Sequence, residues 1–204
     1  MDRYAEHCKE RTGNRKARGM TGRPYHHGDL RRAVIDAALE ATRESGPTGW
    51  SLRELARRAG VSHAAPAHHF GDKAGVLTAV AAEGFTLFAG SLEAAAIRGP
   101  QETGLAYIRF ALAHRAHFEV MFRPELYRLD DPALRSARDR AGAVLAASGD
   151  ALATDAARAR ATTIGAWTFA HGFAELWLSG SLPESADEDP EEVARSVIEV
   201  LFER

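Results

Sequence analysis

Apolar residues recur along this chain at three- and four-residue intervals, the period of helices packed by one face. Between Asp29 and Ser45, the residues Leu30, Val34, Ala37, Ala38 and Ala41 keep that spacing, and Gly46-Pro47 stops the helix. Leu52, Leu55, Ala56 and Ala59 form the stripe of a second, shorter helix. Ser51, with Glu54 three residues on, is the S-x-x-E box that fixes its start, and Gly60 ends it because glycine accepts the left-handed backbone of a sharp turn. Val61 follows as an apolar plug, and Ser62 is placed to cap a third helix running to Phe70. Pro66 deletes a backbone hydrogen bond there and crowds the Ser62 carbonyl, so the helix is expected to begin near Ala64 or Ala65 and to span little more than one turn. Gly71-Asp72-Lys73 then restarts a helix, with Asp72 as N-cap and Leu77, Val80, Ala81, Gly84, Phe85 and Phe88 on its buried face.

Pro100 to Phe122 carries Tyr107, Phe110, Ala111, His114, Phe118, Met121 and Phe122 on one broad apolar face. Pro124 and Asp130-Asp131-Pro132 are breaks, Ala133 to Leu145 reads as a polar-faced helix, and Asp150-Ala151 as the start of another. Thr154 to Leu178 is apolar on two opposite faces: Ile164, Trp167, His171, Ala174 and Leu178 on one, Ala166, Phe169, Ala170, Phe173 and Trp177 on the other. One face suits the chain's own core and the other a second copy. Glu191 to Glu203 adds a helix with Val193, Val197, Val200 and Leu201 on one side, and two such helices per chain, paired about a two-fold axis, make a four-helix interface.

Charge is unevenly placed. Residues 1–73 hold 14 Lys and Arg against 9 Asp and Glu, residues 74–204 hold 12 against 19, and the whole chain is at −2. A basic first third on an acidic body suits a front that meets a polyanion. Arg3, Lys9, Arg11, Arg15, Lys16, Arg18 and Arg23 lie in a stretch with little apolar content, a basic flexible arm that either reaches DNA phosphates or is a solvated tail. Helix, glycine turn and helix within about twenty residues, with Arg and His outward, is the helix-turn-helix pattern of duplex DNA binding. The single cysteine, Cys8, makes no internal disulfide and fits a reducing cytoplasm. No apolar run follows the charged N-terminus, and Ile164 to Leu178, broken by His171 and Glu175, is too short and polar to span a membrane, so no membrane partner is expected. None of G-x-S-x-G, H-E-x-x-H, the P-loop or the dinucleotide fingerprint occurs, so the chain reads as a non-enzyme without a cofactor.

Over about residues 27 to 88 the chain resembles the DNA-binding domain of the TetR/AcrR family of bacterial transcriptional regulators: Ala38 and Gly46 around the first helix, Leu55-Ala56 and Ala59-Gly60-Val61-Ser62 around the turn, then His69-Phe70, Lys73 and Leu77. The resemblance implies an all-α protein: a basic flexible arm (1–26), an N-terminal three-helix helix-turn-helix domain (27–88), and a larger helical effector-binding and dimerisation domain (89–204). It implies that Ser51, His68, His69 and Lys73 hold phosphates and that His63, Ala64 and Ala65, with His68, face base edges, with Arg53 and Ser62 in the same DNA-facing set. The physics is consistent, because helix starts at Ser51 and at Asp72-Lys73 present free N–H groups and a positive dipole end, and Lys73 adds a flexible point charge. Alanine methyls at 64 and 65 let a helix sit deep against thymine methyls, and His63 and His68 can donate to purine acceptors. Two departures stand out: Pro66, and Ala67 where many family members carry a phosphate-contacting tyrosine. Trp167 with His171-Gly172 resembles the W-x-x-x-H-G signature of one C-terminal subgroup.

The resemblance further implies a repressor that binds a palindromic operator as a homodimer through its two C-terminal helices and is released by a small-molecule effector. Candidate pocket residues are Tyr107, Phe110, His114, Phe118, Met121, Phe122, Trp167 and His171, whose other reading is plain core packing. A metal-responsive variant would use His114 and His117, three apart, with His171. Pro66 and Ala67 motivate another alternative, a degenerate module with weak or sequence-blind DNA binding. Because His63, His68 and His69 cluster on the DNA-facing side, affinity for DNA is expected to rise as the pH falls toward about 6, and equal salt-matched affinities at about pH 6 and about pH 8 would refute this.

Overall fold

The computed structural model describes residues 27–182 and 188–202. They form α1 (His27–Ser45), α2 (Leu52–Arg58), α3 (Ala65–Phe70), α4 (Lys73–Ala96), α5 (Pro100–Ala113), α6 (Arg115–Met121), a 3₁₀ turn (Pro124–Leu126), α7 (Pro132–Leu152), α8 (Ala156–Leu178) and α9 (Pro190–Phe202), with no strand among the described residues. The fold is therefore all-α, with a helix-turn-helix unit at its N-terminal end. The basic arm over residues 1–26 lies outside the described residues.

The 24-residue α4 is apolar on nearly every side, and Val76, Leu77, Val80, Ala81, Phe88, Ala89 and Leu92 are all buried. Its length and composition would suffice to cross a membrane, but the residues responsible are spent on the protein's own core. It packs against α1 and α3 and also against α5, α6 and α7. One continuous core consequently runs from Val34 of α1 to Ile198 of α9. The division expected between residues 88 and 89 falls inside α4, which belongs to both parts.

Three other expectations change. The apolar stretch from Pro100 to Phe122 is two helices, broken at His114, whose N–H bonds to the Phe110 carbonyl while its own carbonyl opens α6 by accepting from Phe118. The two helices expected around Leu145 and Asp150 are one, α7, and Gly149 within it sits against α8: a Cβ there would stand 1.8 Å from Thr163 Oγ1. On α9 the inward residues are Ala194 and Ile198, while Val193 and Val197 are half-buried and Val200 and Leu201 point outward. On α8 the buried residues are Ala170, Phe173 and Ala174, while Ile164, Trp167 and Leu176 stay 44–47% exposed. The apolar surface of α8 is thus only partly used within one chain.

The Gly149 contact gives a direct stability test. Gly149→Ala forces α7 from α8 and should cost about 1–3 kcal/mol, roughly 2–12 °C in Tm for a chain of this size. Gly165→Ala, where the added methyl meets nothing within 4 Å, should leave the monomer's Tm unchanged or slightly raised. Thermal denaturation of the two variants side by side reads the difference.

Candidate nucleic-acid interface and effector cavity

The start of α2 is half of the expected capping box. Ser51 Oγ accepts the Glu54 N–H at 3.3 Å, but the Glu54 carboxylate turns to Arg58 at 2.7 Å, which also holds Glu44 at 2.6 Å. Arg58 is thereby a structural cation. Arg53 and Arg57, one turn apart, are exposed and pair with no carboxylate among the described residues. Sequence reasoning chose Arg53 and missed Arg57, although the four-residue spacing was there to be used.

Gly60 takes φ 67°, as the turn requires. The reading helix α3 begins at Ala65 and has six residues. Ser62 is not its side-chain cap: Ala64 stands at that position without a side-chain bond, and Ser62 contributes only its carbonyl, which accepts from the Ala65 N–H at 3.0 Å. Pro66 is the second helical residue, where its missing N–H costs nothing, and its ring is buried. Ser62, Ala64, Ala65, His68 and His69 share a shallow groove of about 510 Å³ with Leu30 of α1. His63 is exposed beside that groove in sequence, and Ser51 and Arg53 belong to the start of α2.

Lys73 departs from expectation. Its Nζ donates to the carbonyls of Thr48 at 2.9 Å and Trp50 at 2.7 Å and lies 4.3 Å from the centre of the Trp50 ring. Trp50 is itself buried, its indole donating to Thr42 Oγ1 at 3.0 Å. Lys73 is therefore a fixed clamp between the start of α4 and the α1–α2 turn, with one N–H of three left over, and burial pulls its pKa below the ordinary lysine value.

Two polar ties join this unit to the rest of the molecule. Asp72 caps α4 through Oδ1, accepting the Gly75 N–H at 2.8 Å, and its Oδ2 takes Arg128 Nη2 at 2.9 Å. The Gly75 N–H and then the Arg128 charge hold the Asp72 carboxyl below its usual range. A Cβ on Gly75 would stand 1.9 Å from the Phe70 carbonyl oxygen, so glycine is what lets the end of α3 rest on the start of α4. The second tie runs from His117 Nε2 on α6 to Glu83 on α4 at 3.1 Å, and from Glu83 to Arg32 on α1 at 2.9 Å, with Asp36 on the far side of Arg32.

Between α4, α6, α7 and α8 lies a cavity of about 470 Å³. Phe85 and Phe88 of α4, Met121 of α6 and Phe122 just after it, Tyr127 after the 3₁₀ turn, and Trp167 of α8 give it aromatic and apolar walls, and α7 closes it with Arg138, Ala141, Gly142 and Leu145. Of the eight pocket residues chosen from sequence, Met121, Phe122 and Trp167 line it. Tyr107, Phe110 and Phe118 are instead core, and His114 stacks on Phe110 at 4.8 Å. His171 is held at the Tyr107 hydroxyl, its Nδ1 2.9 Å away. Trp167 Nε1 reaches the same hydroxyl at 3.1 Å. An indole can only donate, so Tyr107 accepts from Trp167, while the direction of its bond with His171 is set by the imidazole tautomer. The four-residue spacing of Trp167 and His171 places both rings astride one buried phenol. Burial pushes the Tyr107 pKa up and that of His171 down, which keeps the relay neutral. Tyr127 and Arg138 were missed because a loop and a polar-faced helix carry no signal of what they enclose.

Among the described residues no three His, Cys, Asp or Glu side chains are grouped to hold a metal ion. The ring centres of His114 and His117 are 5.8 Å apart, but His117 is bonded to Glu83 and His171 to Tyr107, so the three histidines of the metal-responsive alternative are not brought together.

A short reading helix at the tip of an all-helical body with a lined cavity is the architecture of a DNA-binding transcriptional regulator. Residues 34–80 match the family model of bacterial regulatory proteins, tetR family, and residues 100–201 match the tetracyclin repressor-like C-terminal domain. The chain belongs to the TetR family. It is 49% identical over 49 residues to the HTH-type transcriptional regulator BetI of Escherichia coli, a match covering 24% of this chain and 25% of that protein, so it spans about a quarter of the length of the curated relatives it matches. Among solved structures, a Rhodococcus sp. RHA1 protein of unknown function is 30% identical with a TM-score of 0.69, over 89% of this chain and 97% of that one. AibR, solved with isovaleryl coenzyme A and operator DNA, shares the fold at 20% identity and a TM-score of 0.59, over 85% of this chain and 98% of its own.

His117 yields a pH test. Burial lowers its folded pKa below the unfolded value of 6.5, so its contribution to stability is complete above about pH 6.5 and is lost as the pH falls through the folded pKa, at up to about 1.4 kcal/mol per pH unit. His171 contributes in the same sense. His117→Gln should remove the first share and leave the second, read by urea unfolding at about pH 7 and about pH 5. An unchanged pH slope would contradict the assignment.

Proposed function

We propose that this chain is a repressor that binds a palindromic operator as a homodimer and releases it when a small molecule fills the cavity between α4, α6, α7 and α8. The observation that carries the reading is the pair Tyr127 and Arg128. Tyr127 lines the cavity, and the next residue holds Asp72, the cap that follows directly on the reading helix. The His117–Glu83–Arg32 chain ties α6, another cavity wall, to α1. A molecule that displaces Tyr127 or α6 acts on both sides of the DNA-contacting unit. To empty the operator fully it must bind the released form more tightly than the DNA-bound form by about 5.5 kcal/mol. AibR, of the same fold, was solved with isovaleryl coenzyme A and operator DNA together, which supports a small-molecule site and a DNA site on one such chain and leaves release to be tested here.

The exposed side of α8 supports the homodimer. Ile164 and Leu176 are uncovered, and Gly165 and Gly172 have open space where a Cβ would stand, so a second α8 can approach closely. Val200 of α9, 82% exposed, adds to the same need for a partner. Two copies so joined would set their reading helices about 34 Å apart, one turn of duplex, in the cytoplasm where the chromosome lies. Exposed Arg53 and Arg57 and the helix starts at Ser51 and Asp72 would take phosphates, while His63, Ala64, Ala65 and His68 would face bases.

The six-residue, uncapped α3 with Ala67 favours one second reading, a module that binds DNA weakly and without regard to sequence. A gel shift with the DNA upstream of the chain's own gene separates the two. A specific complex that weakens steeply with salt is expected of the repressor, and uniform weak binding is expected of the degenerate module. For the dimer, Ile164→Glu combined with Leu176→Glu should give a folded monomer by sedimentation and lower operator affinity at least about tenfold, since only one half-site contact remains.

A further inference from the structure

The cavity's polar groups are almost all spent internally. The Tyr127 hydroxyl donates to the Met121 carbonyl at 2.7 Å, Trp167 Nε1 gives its proton to Tyr107, and Thr163 Oγ1 donates to the Ala159 carbonyl at 3.0 Å. Arg138 is the one charged residue on the lining, and it is different. Its Cζ stands 5.8 Å from the centre of the Phe85 ring, and it pairs with no carboxylate among the described residues. Exposed Arg135, one turn earlier on α7, likewise pairs with no carboxylate among the described residues but is not on the lining. Arg140, two residues on from Arg138, holds Glu93 at 2.7 Å, and Arg128 holds Asp72. An arginine of five fixed donors, left unpaired at the mouth of an otherwise donor-poor aromatic chamber, marks one kind of guest.

We infer that the cavity takes a hydrophobic monocarboxylate with a flat, aromatic-sized body, its carboxylate bound by Arg138 and its body held between Phe85, Phe88, Phe122 and Trp167. The rings supply area and edge-to-face contact for an apolar body. The guanidinium supplies a planar fork matched to two carboxylate oxygens. With the other polar groups engaged, nothing else on the wall offers an equal reward to a neutral amide or alcohol of the same shape. A volume of about 470 Å³ admits a two-ring acid with room to spare. This inference rests on the reading of the cavity as the effector site, and it adds the charge and shape of the effector.

The test uses the purified full chain and a pair of probes identical in body and different in charge, naphthaleneacetate and naphthaleneacetamide, titrated calorimetrically at matched salt. The carboxylate should bind about tenfold or more tightly than the amide, the strength of a charge-assisted hydrogen-bonded pair at a partly open site. Arg138→Gln should bring the carboxylate down to the level of the amide while leaving the amide's own affinity in place, which shows that the chamber is intact. Equal affinities in the unmodified protein, a carboxylate preference that survives Arg138→Gln, or failure of both probes to bind each overturns the inference. The repressor reading is judged separately, by the operator gel shift without any probe. Charge-selective binding that leaves the operator complex untouched would sustain the ligand class and count against release by this site.

Discussion

Burial of α4 is the constraint from which the other features follow. A helix of that length with apolar residues all around it must be wrapped, and α1, α3, α5, α6 and α7 do the wrapping. Hydrophobic burial at about 25 cal/mol per Å² makes this the dominant favourable term. The same helix therefore forms the floor of the cavity through Phe85 and Phe88 and the support of α3 through Asp72, Lys73 and Gly75. The two regions share a core and cannot be packed independently.

On that shared core the polar ties act as positioning devices. Asp72–Arg128 is a half-exposed pair, worth little to stability, yet it fixes where the cap of α4 stands relative to the cavity loop. Gly84 does the same on the apolar side: a Cβ there would lie 2.7 Å from Met121 Sδ and 3.1 Å from His117 Cβ, so α4 and α6 touch at closest approach beside the His117–Glu83 bond. A rearrangement at the cavity is then shared by several named contacts, and no single bond has to carry it.

Much of the fold was legible because its signals are local. The Gly60 turn, the Asp72 cap and the late start of α3 follow from the backbone chemistry of one or two residues, and each is where the sequence places it. Failures came where a local signal has two meanings. Asp150-Ala151 reads as a helix start and is the interior of α7, and Lys73 reads as a free charge and is a clamp. The cavity was the least legible, because aromatic residues at helical spacing look alike whether they line a void or fill a core. Tyr107 and Phe118 fill, Phe122 and Trp167 line, and only the three-dimensional crossing of α6, α7 and α8 decides which.

The brevity of α3 has a consequence for how such a protein diversifies. Six residues with no side-chain cap are far below the length at which a helix persists alone in water, so its shape is borrowed from Pro66, Phe70 and the helices beneath them. Ala64, Ala67 and His68, facing outward, contribute nothing to that support. The side chains that hold the fold here are thereby not the outward ones, so under the proposed DNA-binding reading the outward set can change while the scaffold stays fixed.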